Sequence, residues 1–394
     1  MIIGFDGSRA FKNNRTGTEN YSYELLKSLA KIDHKNRYIV YLRPGSQVGN
    51  WPKNFQFKTI KFTRLWTQIG LALQTFKDNL DVLFIPAHTS PLIHKPGLKT
   101  VVTVHDLGAE YLPKMHQLKQ RLYLNWITNF QLKNASKLIA VSKATKEDLV
   151  KKIGIHPQKI EVIYEGYDQK LFSARGGSSF GRKPDTLVNS LKSFNLVPRS
   201  YFLFVGTVQP RKNLERLIKA FARYHQLQGQ SLGNIRSSKS LRSEDAHITI
   251  APSLFIVGSK GWLSDKIYEL PKKLGIEDRV KFLGYVPDEM LPVLYSNAKA
   301  LVFPSLFEGF GLPILEAQAC GCPVITSDVS SMPEIAGKGA LLVNPYNVNE
   351  ITDAMIKVMD KRVKQRLIKE GLENIKRFSW EECAIETLKV LMSS

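Results

Sequence analysis

Short apolar runs alternate along this chain with longer stretches in which apolar residues recur every three or four positions. The runs at 1–6, 37–42, 57–62, 81–85, 99–104, 137–141 and 160–163 predict one set of buried strands. Those at 201–205, 253–258, 279–283, 299–303, 323–326 and 340–343 predict a second. Stretches of helical period lie between them, at 19–32, 117–134, 143–153, 212–227, 288–296 and 313–319. Strand–helix alternation of this kind predicts parallel sheets covered by helices on both faces. Two series predict an α/β architecture of two doubly wound, Rossmann-like domains facing a central cleft. The boundary is expected within Ser173–Ser193, where glycine, serine and basic residues replace the apolar pattern, giving domains of 1–180 and 190–375. A second polar tract, Gln228–His247, reads as an insertion loop.

Composition narrows the class. The 394 residues suffice for two full cores, and 43% hydrophobic with 23% charged residues describes a globular chain. No run of eighteen apolar residues predicts a spanning helix. The N-terminus runs directly into a strand pattern without the features of a signal peptide, so a cytoplasmic location is expected. Three cysteines make no disulfide framework. Cys320 and Cys322, spaced around one glycine, match no common zinc site and read as packing residues in a reducing compartment.

Charge changes the picture more. The net charge is +21 and uneven: residues 1–175 carry 27 Lys and Arg against 13 Asp and Glu, and the remainder 29 against 22. The first half therefore predicts an anionic partner: nucleic acid, an anionic membrane surface or an anionic acceptor. Basic and aromatic residues do not interleave along a single element, which argues against nucleic acid. The segment Lys114–Lys133 combines Lys114, Lys119, Arg121 and Lys133 with Tyr123, Trp126 and Phe130. It reads either as a face for anionic lipid or, through Leu122, Trp126 and Phe130, as part of the core.

Candidate chemistry concentrates after the strands. In Glu308-Gly309-Phe310-Gly311-Leu312-Pro313-Ile314-Leu315-Glu316, a strand is followed by a glycine turn and a helix opened by Pro313 and stopped by Gly321 and Pro323. Glu308 is thus expected on the loop and Glu316 one turn into the helix, flanking a helix N-terminus suited to phosphate. Two carboxylates around an anion site suit a ligand with both phosphate and hydroxyls, such as a nucleotide-sugar. Arg211 and Lys212, in Pro210-Arg211-Lys212-Asn213 after the strand ending at Gly206, can neutralise a diphosphate. His105, at the end of Thr100–Val104, can donate to a sugar hydroxyl or a developing oxyanion, or can be a structural histidine held by Asp106. Gly17, in the segment Arg15–Asn20 that precedes the helical stretch Tyr21–Lys31, would let the backbone approach a ligand at the helix start.

Together these segments resemble glycosyltransferase family 4 of the GT-B fold, in the expected order over nearly the whole chain. Arg15-Thr16-Gly17 looks like the family's N-terminal glycine loop, His105 like its acceptor-domain histidine, Pro210–Asn213 like its diphosphate clamp, and Glu308 to Glu316 like its Glu-x7-Glu signature. Phe378-Ser379-Trp380 looks like the start of a last helix, 376–394, that returns to the first domain. The family arginine after the first donor-domain glycine is here Thr207, while Ser330–Glu334 is similar to members using GDP-mannose.

The resemblance implies a retaining transferase of a hexose, mannose from GDP-mannose above all, to a glycan or lipid-linked acceptor. It implies no metal and no cofactor. Donor contacts would come from Gly17, Arg211, Lys212, Glu308, Gly309, Phe310, Gly311, Leu312 and Glu316, and catalytic contacts from His105, Glu308, Arg211 and Lys212. Alternatives are a UDP-glucose or UDP-GlcNAc transferase, an epimerase or phosphorylase of the same fold, and a basic nucleic-acid-binding protein.

Overall fold

The computed structural model describes residues 1–12, 15, 17–87, 89–107, 129–173, 197–238 (230–238 as backbone) and 252–393. The chain divides into two units: Met1–Gly166 with Phe378–Ser394, and Tyr167–Arg377. The first unit thus ends ahead of Ser173–Ser193, most of which lies outside the described residues.

In the first unit, β1 (Ile2–Asp6), β2 (Arg37–Leu42), β3 (Phe55–Thr59), β4 (Val82–Ile85), β5 (Lys99–Val104), β6 (Lys137–Ala140) and β7 (Ile160–Val162) form one sheet in the order β3-β2-β1-β4-β5-β6-β7. Every pairing is parallel. The inner strands carry runs such as Val82-Leu83-Phe84-Ile85 with every residue buried, as a sheet covered on both faces requires. β3 begins and ends earlier than the apolar run 57–62 predicts: Ile60 still donates its backbone N–H to Leu42, but Lys61 and Phe62 turn outward.

The C-terminal helix Trp380–Ser393 packs along the helix Gly17–Ile32 of this unit. Gly166 makes the closest approach: a Cβ there would stand 2.2 Å from the backbone nitrogen of Trp380. Because the clash is with backbone, it cannot be relieved by a rotamer change. Gly166→Ala is expected to destabilise the first unit by about 1–3 kcal/mol, read as a lower denaturation midpoint. An unchanged midpoint would mean that the contact is not maintained in solution.

The second unit repeats the plan. β8 (Tyr201–Val205), β9 (Ser253–Val257), β10 (Val280–Gly284), β11 (Ala300–Phe303), β12 (Val324–Ser327) and β13 (Ala340–Val343) are ordered β10-β9-β8-β11-β12-β13, again all parallel. The tract read as a loop from Gln228 is corrected at its start: the helix Leu214–Ser238 runs through it. Extending a formed helix fixes one residue per hydrogen bond gained, and no proline interrupts Gln228–Ser238. Residues 239–247 of that tract lie outside the described residues.

In each sheet the strand order reverses beside the first strand, between β1 and β4 and between β8 and β11. At such a switch point the connections leave in opposite directions and open a crevice at the strands' C-terminal ends.

Candidate active site

The crevice of the second unit lies where β8 and β11 end, and the sequence places chemistry on both exits. After β8, residues Pro210–Lys212 form one tight turn, and Asn213 holds a left-handed backbone with φ 60°. Its side-chain amide donates to the carbonyls of Pro304 at 2.9 Å and Pro345 at 2.6 Å, locking this turn to the β11 exit. After β11, Glu308 turns back toward it. Glu308 Oε2 accepts from Arg211 Nη1 at 2.8 Å, and Oε1 from Lys212 Nζ at 2.6 Å. Arg211 also donates to the carbonyl of Phe307 at 2.9 Å, and the Lys212 ammonium lies 5.0 Å over the Phe303 ring.

Lys212 and Glu308 are buried, so each charge depends on the other. Burial alone would raise the Glu308 pKa. The adjacent Lys212 and Arg211 charges outweigh it and leave the carboxyl below its ordinary value.

The Glu308 backbone is fixed by two serines. The Ser330 hydroxyl donates to the Glu308 carbonyl at 2.6 Å, and Ser331 donates to the carbonyls of Glu308 at 2.9 Å and Phe310 at 2.8 Å. Gly311 follows with φ 112°, a conformation open to glycine, and starts the helix Leu312–Ala319 with Pro313 in its first turn. Glu316 lies one turn into that helix. Its Oε2 accepts from the hydroxyl of the fully buried Tyr295 at 2.8 Å. Burial pushes the Glu316 carboxyl up to about 7, against the lowering effect of that hydrogen bond. Cys320 and Cys322, just beyond, are buried with thiol pKa values raised by burial.

The structure thus unites Arg211, Lys212 and Glu308 and places Gly309, Phe310, Gly311, Leu312 and Glu316 on the same loop and helix. Sequence reasoning gave no role to Tyr295, and it named Asn213, Ser330 and Ser331 only as parts of longer segments, without the bonds that they make here. Their signal was weak: only a left-handed Ser330, with φ 58°, sets that pair apart, and backbone angles are not written in sequence.

The remaining predicted residues lie in the first unit. His105 follows β5 as expected, and its hydrogen-bonded carboxylate is Glu165, with the charge of the adjacent Asp106 adding to it: Nδ1 lies 3.2 Å from Glu165 Oε1, and Nε2 2.9 Å from the carbonyl of Pro86. Tyr21 closes on the ring edge-to-face at 4.6 Å. Burial lowers the His105 pKa, but the Glu165 hydrogen bond and charge, with Pro86, raise it further, so both ring N–H groups are held by acceptors. Gly17 opens the helix Gly17–Ile32 with open space around it. Arg15, just before it, stacks 3.9 Å over Tyr23 beside a cavity of about 660 Å³ lined by Phe11, Lys12, Arg15, Tyr23, Lys27 and Trp51. Thr16 and residues 114–128 of the amphipathic segment lie outside the described residues.

Two parallel Rossmann-like units are the architecture of the GT-B fold, and the matches to known families make the chain a glycosyltransferase. Residues 15–171 match the model described as Glycosyltransferase Family 4, and residues 191–374 that of Glycosyl transferases group 1. The chain is 30% identical to the O-antigen chain mannosyltransferase RfbU of Salmonella typhimurium, over 90% of this chain and 92% of that protein. It is 27% identical to the O-antigen chain mannosyltransferase B of Escherichia coli, over 95% of each. The sucrose-phosphate synthase of Thermosynechococcus elongatus shares the fold, with TM-score 0.74 at 20% identity over 100% of this chain and 98% of that one. So does HepE of Anabaena, solved with UDP and glucose, with TM-score 0.70 at 18% identity over 100% of each chain. The chain belongs to glycosyltransferase family 4.

Proposed function

We propose that this enzyme transfers mannose from GDP-mannose, with retention of configuration, to a glycan or lipid-linked acceptor at an anionic membrane surface. The observation that carries the donor half is the cluster of half-buried Arg211 with buried Lys212 and Glu308 at the switch point. Relatives named as mannosyltransferases support the choice of sugar.

In the ligand-free arrangement Glu308 is the counter-ion of both cations. An arriving diphosphate competes for Arg211 and Lys212 and displaces the carboxylate, which becomes free to accept from sugar hydroxyls together with the Gly309–Gly311 backbone. Glu316 accepts from the ribose. The bond between the sugar's anomeric carbon and the diphosphate oxygen then breaks, and the clamp and the helix N-terminus take up the charge left on the diphosphate. The acceptor oxygen forms the new bond on the same face, and its proton passes to the departing phosphate oxygen.

His105 enters as a hydrogen-bond donor to the sugar only by exchanging its bond to Pro86. The cavity beside Arg15 suits a sugar joined to phosphate, since aromatic rings stack on sugars and the cations meet the anion. The reaction as proposed uses no metal or cofactor.

Calorimetry with GDP and UDP, followed by assay of nucleoside diphosphate release with and without acceptor glycan, tests the reading. GDP is expected to bind more tightly, and release to require acceptor. Release from UDP-glucose but not GDP-mannose would overturn the donor, and nucleic acid binding without any release would overturn the class of partner. Because Glu316 loses its proton near pH 7, GDP affinity is expected to rise between pH 6 and pH 8 and to be flat over that range in Glu316→Gln.

A further inference from the structure

The helical segment Trp66–Leu71 continuing into Ala72–Lys77 in the first unit is apolar on both sides. One side is core: Trp66, Gly70, Leu71 and Thr75 are buried. The other side carries Leu65, Ile69, Leu73 and Phe76, spaced four, four and three apart, and each is between 39% and 62% exposed. Phe62 extends this row, because it lies against Gly70 and is itself exposed. The outward side of a surface helix ordinarily carries polar residues, whereas this one carries a row of four apolar side chains.

A second exposed element is tied to it. Gln68 donates to the carbonyl of Ser90 at 3.0 Å and accepts from the backbone N–H of Leu92 at 2.9 Å, and Thr75 accepts from the N–H of Lys95 at 3.0 Å. These bonds hold Leu92 and Ile93 beside the helix, with Ile93 70% exposed. The left-handed φ of 52° at Leu65 accompanies exposure, not packing: a branched side chain is held in a disfavoured backbone state with its surface in water.

The fringe of this face has one sign. The sequence contains no carboxylate between Asp33 and Asp78, and none between Asp81 and Asp106. Lys61, Arg64, Lys77 and Lys95 border the apolar row, and among the described residues none of them pairs with a carboxylate. Lys58, near the same face, is neutralised by Asp78 at 2.9 Å.

We propose that Phe62, Leu65, Ile69, Leu73, Phe76 and Ile93 form the docking face of this enzyme on an anionic bilayer. The helix would lie in the membrane plane, its outer apolar row at the acyl boundary and Lys61, Arg64, Lys77 and Lys95 among the lipid phosphates. Charge complementarity selects the occupant: a contiguous apolar row flanked by Lys61, Arg64, Lys77 and Lys95, with the nearby carboxylate Asp78 already paired to Lys58, matches anionic headgroups over a hydrocarbon layer. This deepens the membrane reading above and rests on it.

Co-sedimentation of the full chain with vesicles tests the face. One set would be phosphatidylcholine with about 30% phosphatidylglycerol, and the other phosphatidylcholine alone, each at about 0.1 M and 1 M salt. The parent is expected to bind the anionic vesicles and to weaken at high salt. The pair Lys61→Ser with Arg64→Ser is expected to weaken anionic-vesicle binding on the order of 10–30-fold. The pair Ile69→Glu with Leu73→Glu is expected to abolish binding, with GDP affinity unchanged as the check on folding.

Full binding by the Ile69→Glu, Leu73→Glu pair would overturn this face and leave the membrane reading standing. No binding by the parent would overturn both. Dimerisation of the parent in sedimentation equilibrium, lost in the same pair, would assign the face to a second copy and overturn the proposal.

Discussion

Glu308→Gln is expected to lower turnover by about 10²–10³-fold, the loss that follows when one preorganised charged contact to a transition state is removed. The geometry separates two origins of this loss. The amide keeps the shape of the side chain and one acceptor oxygen, but it can balance neither cation. In the ligand-free protein, Arg211 at 2.8 Å and the buried Lys212 at 2.6 Å would then face a neutral group where a carboxylate stood. Removing one member of a buried pair costs about 3–5 kcal/mol, and the retained acceptor puts this variant at or below the lower end of that range.

GDP, which supplies the missing negative charge, should restore most of the lost stability. The variant is therefore expected to melt lower than the parent without GDP and close to it with GDP, while remaining nearly inactive. Parental turnover would remove Glu308 from the reaction. The sign with pH follows from its lowered pKa. The carboxylate's stabilisation is present above the ordinary carboxyl range and is lost as pH falls through the folded value, so acid should destabilise the parent more than the variant.

Lys212→Ala is expected to weaken GDP binding by about 10–100-fold, because a charge-assisted bond to a desolvated anion contributes about 1.5–3 kcal/mol. The measurement is calorimetric. Equal affinities in variant and parent would move the clamp elsewhere. Lys212→Arg is expected to rescue poorly: the ammonium fits between Glu308 and the face of Phe303, and a planar guanidinium is wider than that slot. A mutant lowered in turnover but not in GDP affinity would reassign Lys212 to positioning Glu308.

Most of the fold is legible in the sequence because parallel strands buried on both faces must be continuous apolar runs. Val82–Ile85 and Ala300–Phe303 can be read at sight. The end of β3 is not, because the pattern runs on past Thr59 although only Ile60 stays in the core, while Lys61 and Phe62 turn to the surface. The start of the tract at Gln228 misled for the opposite reason: polar residues without proline propagate a helix as readily as they make a loop.

The sequence by itself determined the alternation of strands and helices, the doubling of that series, and the local order of Glu308, Gly311, Pro313 and Glu316, since each depends on residues within a turn or two of one another. Tertiary structure alone decided which charges meet. Arg211 and Lys212 lie almost a hundred positions before Glu308 and reach it because β8 and β11 are neighbours at the switch point. His105 hydrogen-bonds Glu165 sixty residues away, because β5, β6 and β7 are successive neighbours in the sheet and the chain leaving β7 comes back beside the end of β5. Exposure was likewise decided late: Ile69 and Leu71 are equally apolar in the sequence, and only the packing of their helix sends one to the surface and the other to the core. Local chemistry sets what a segment can form, whereas pairing and burial depend on neighbours that the chain's linear order does not reveal.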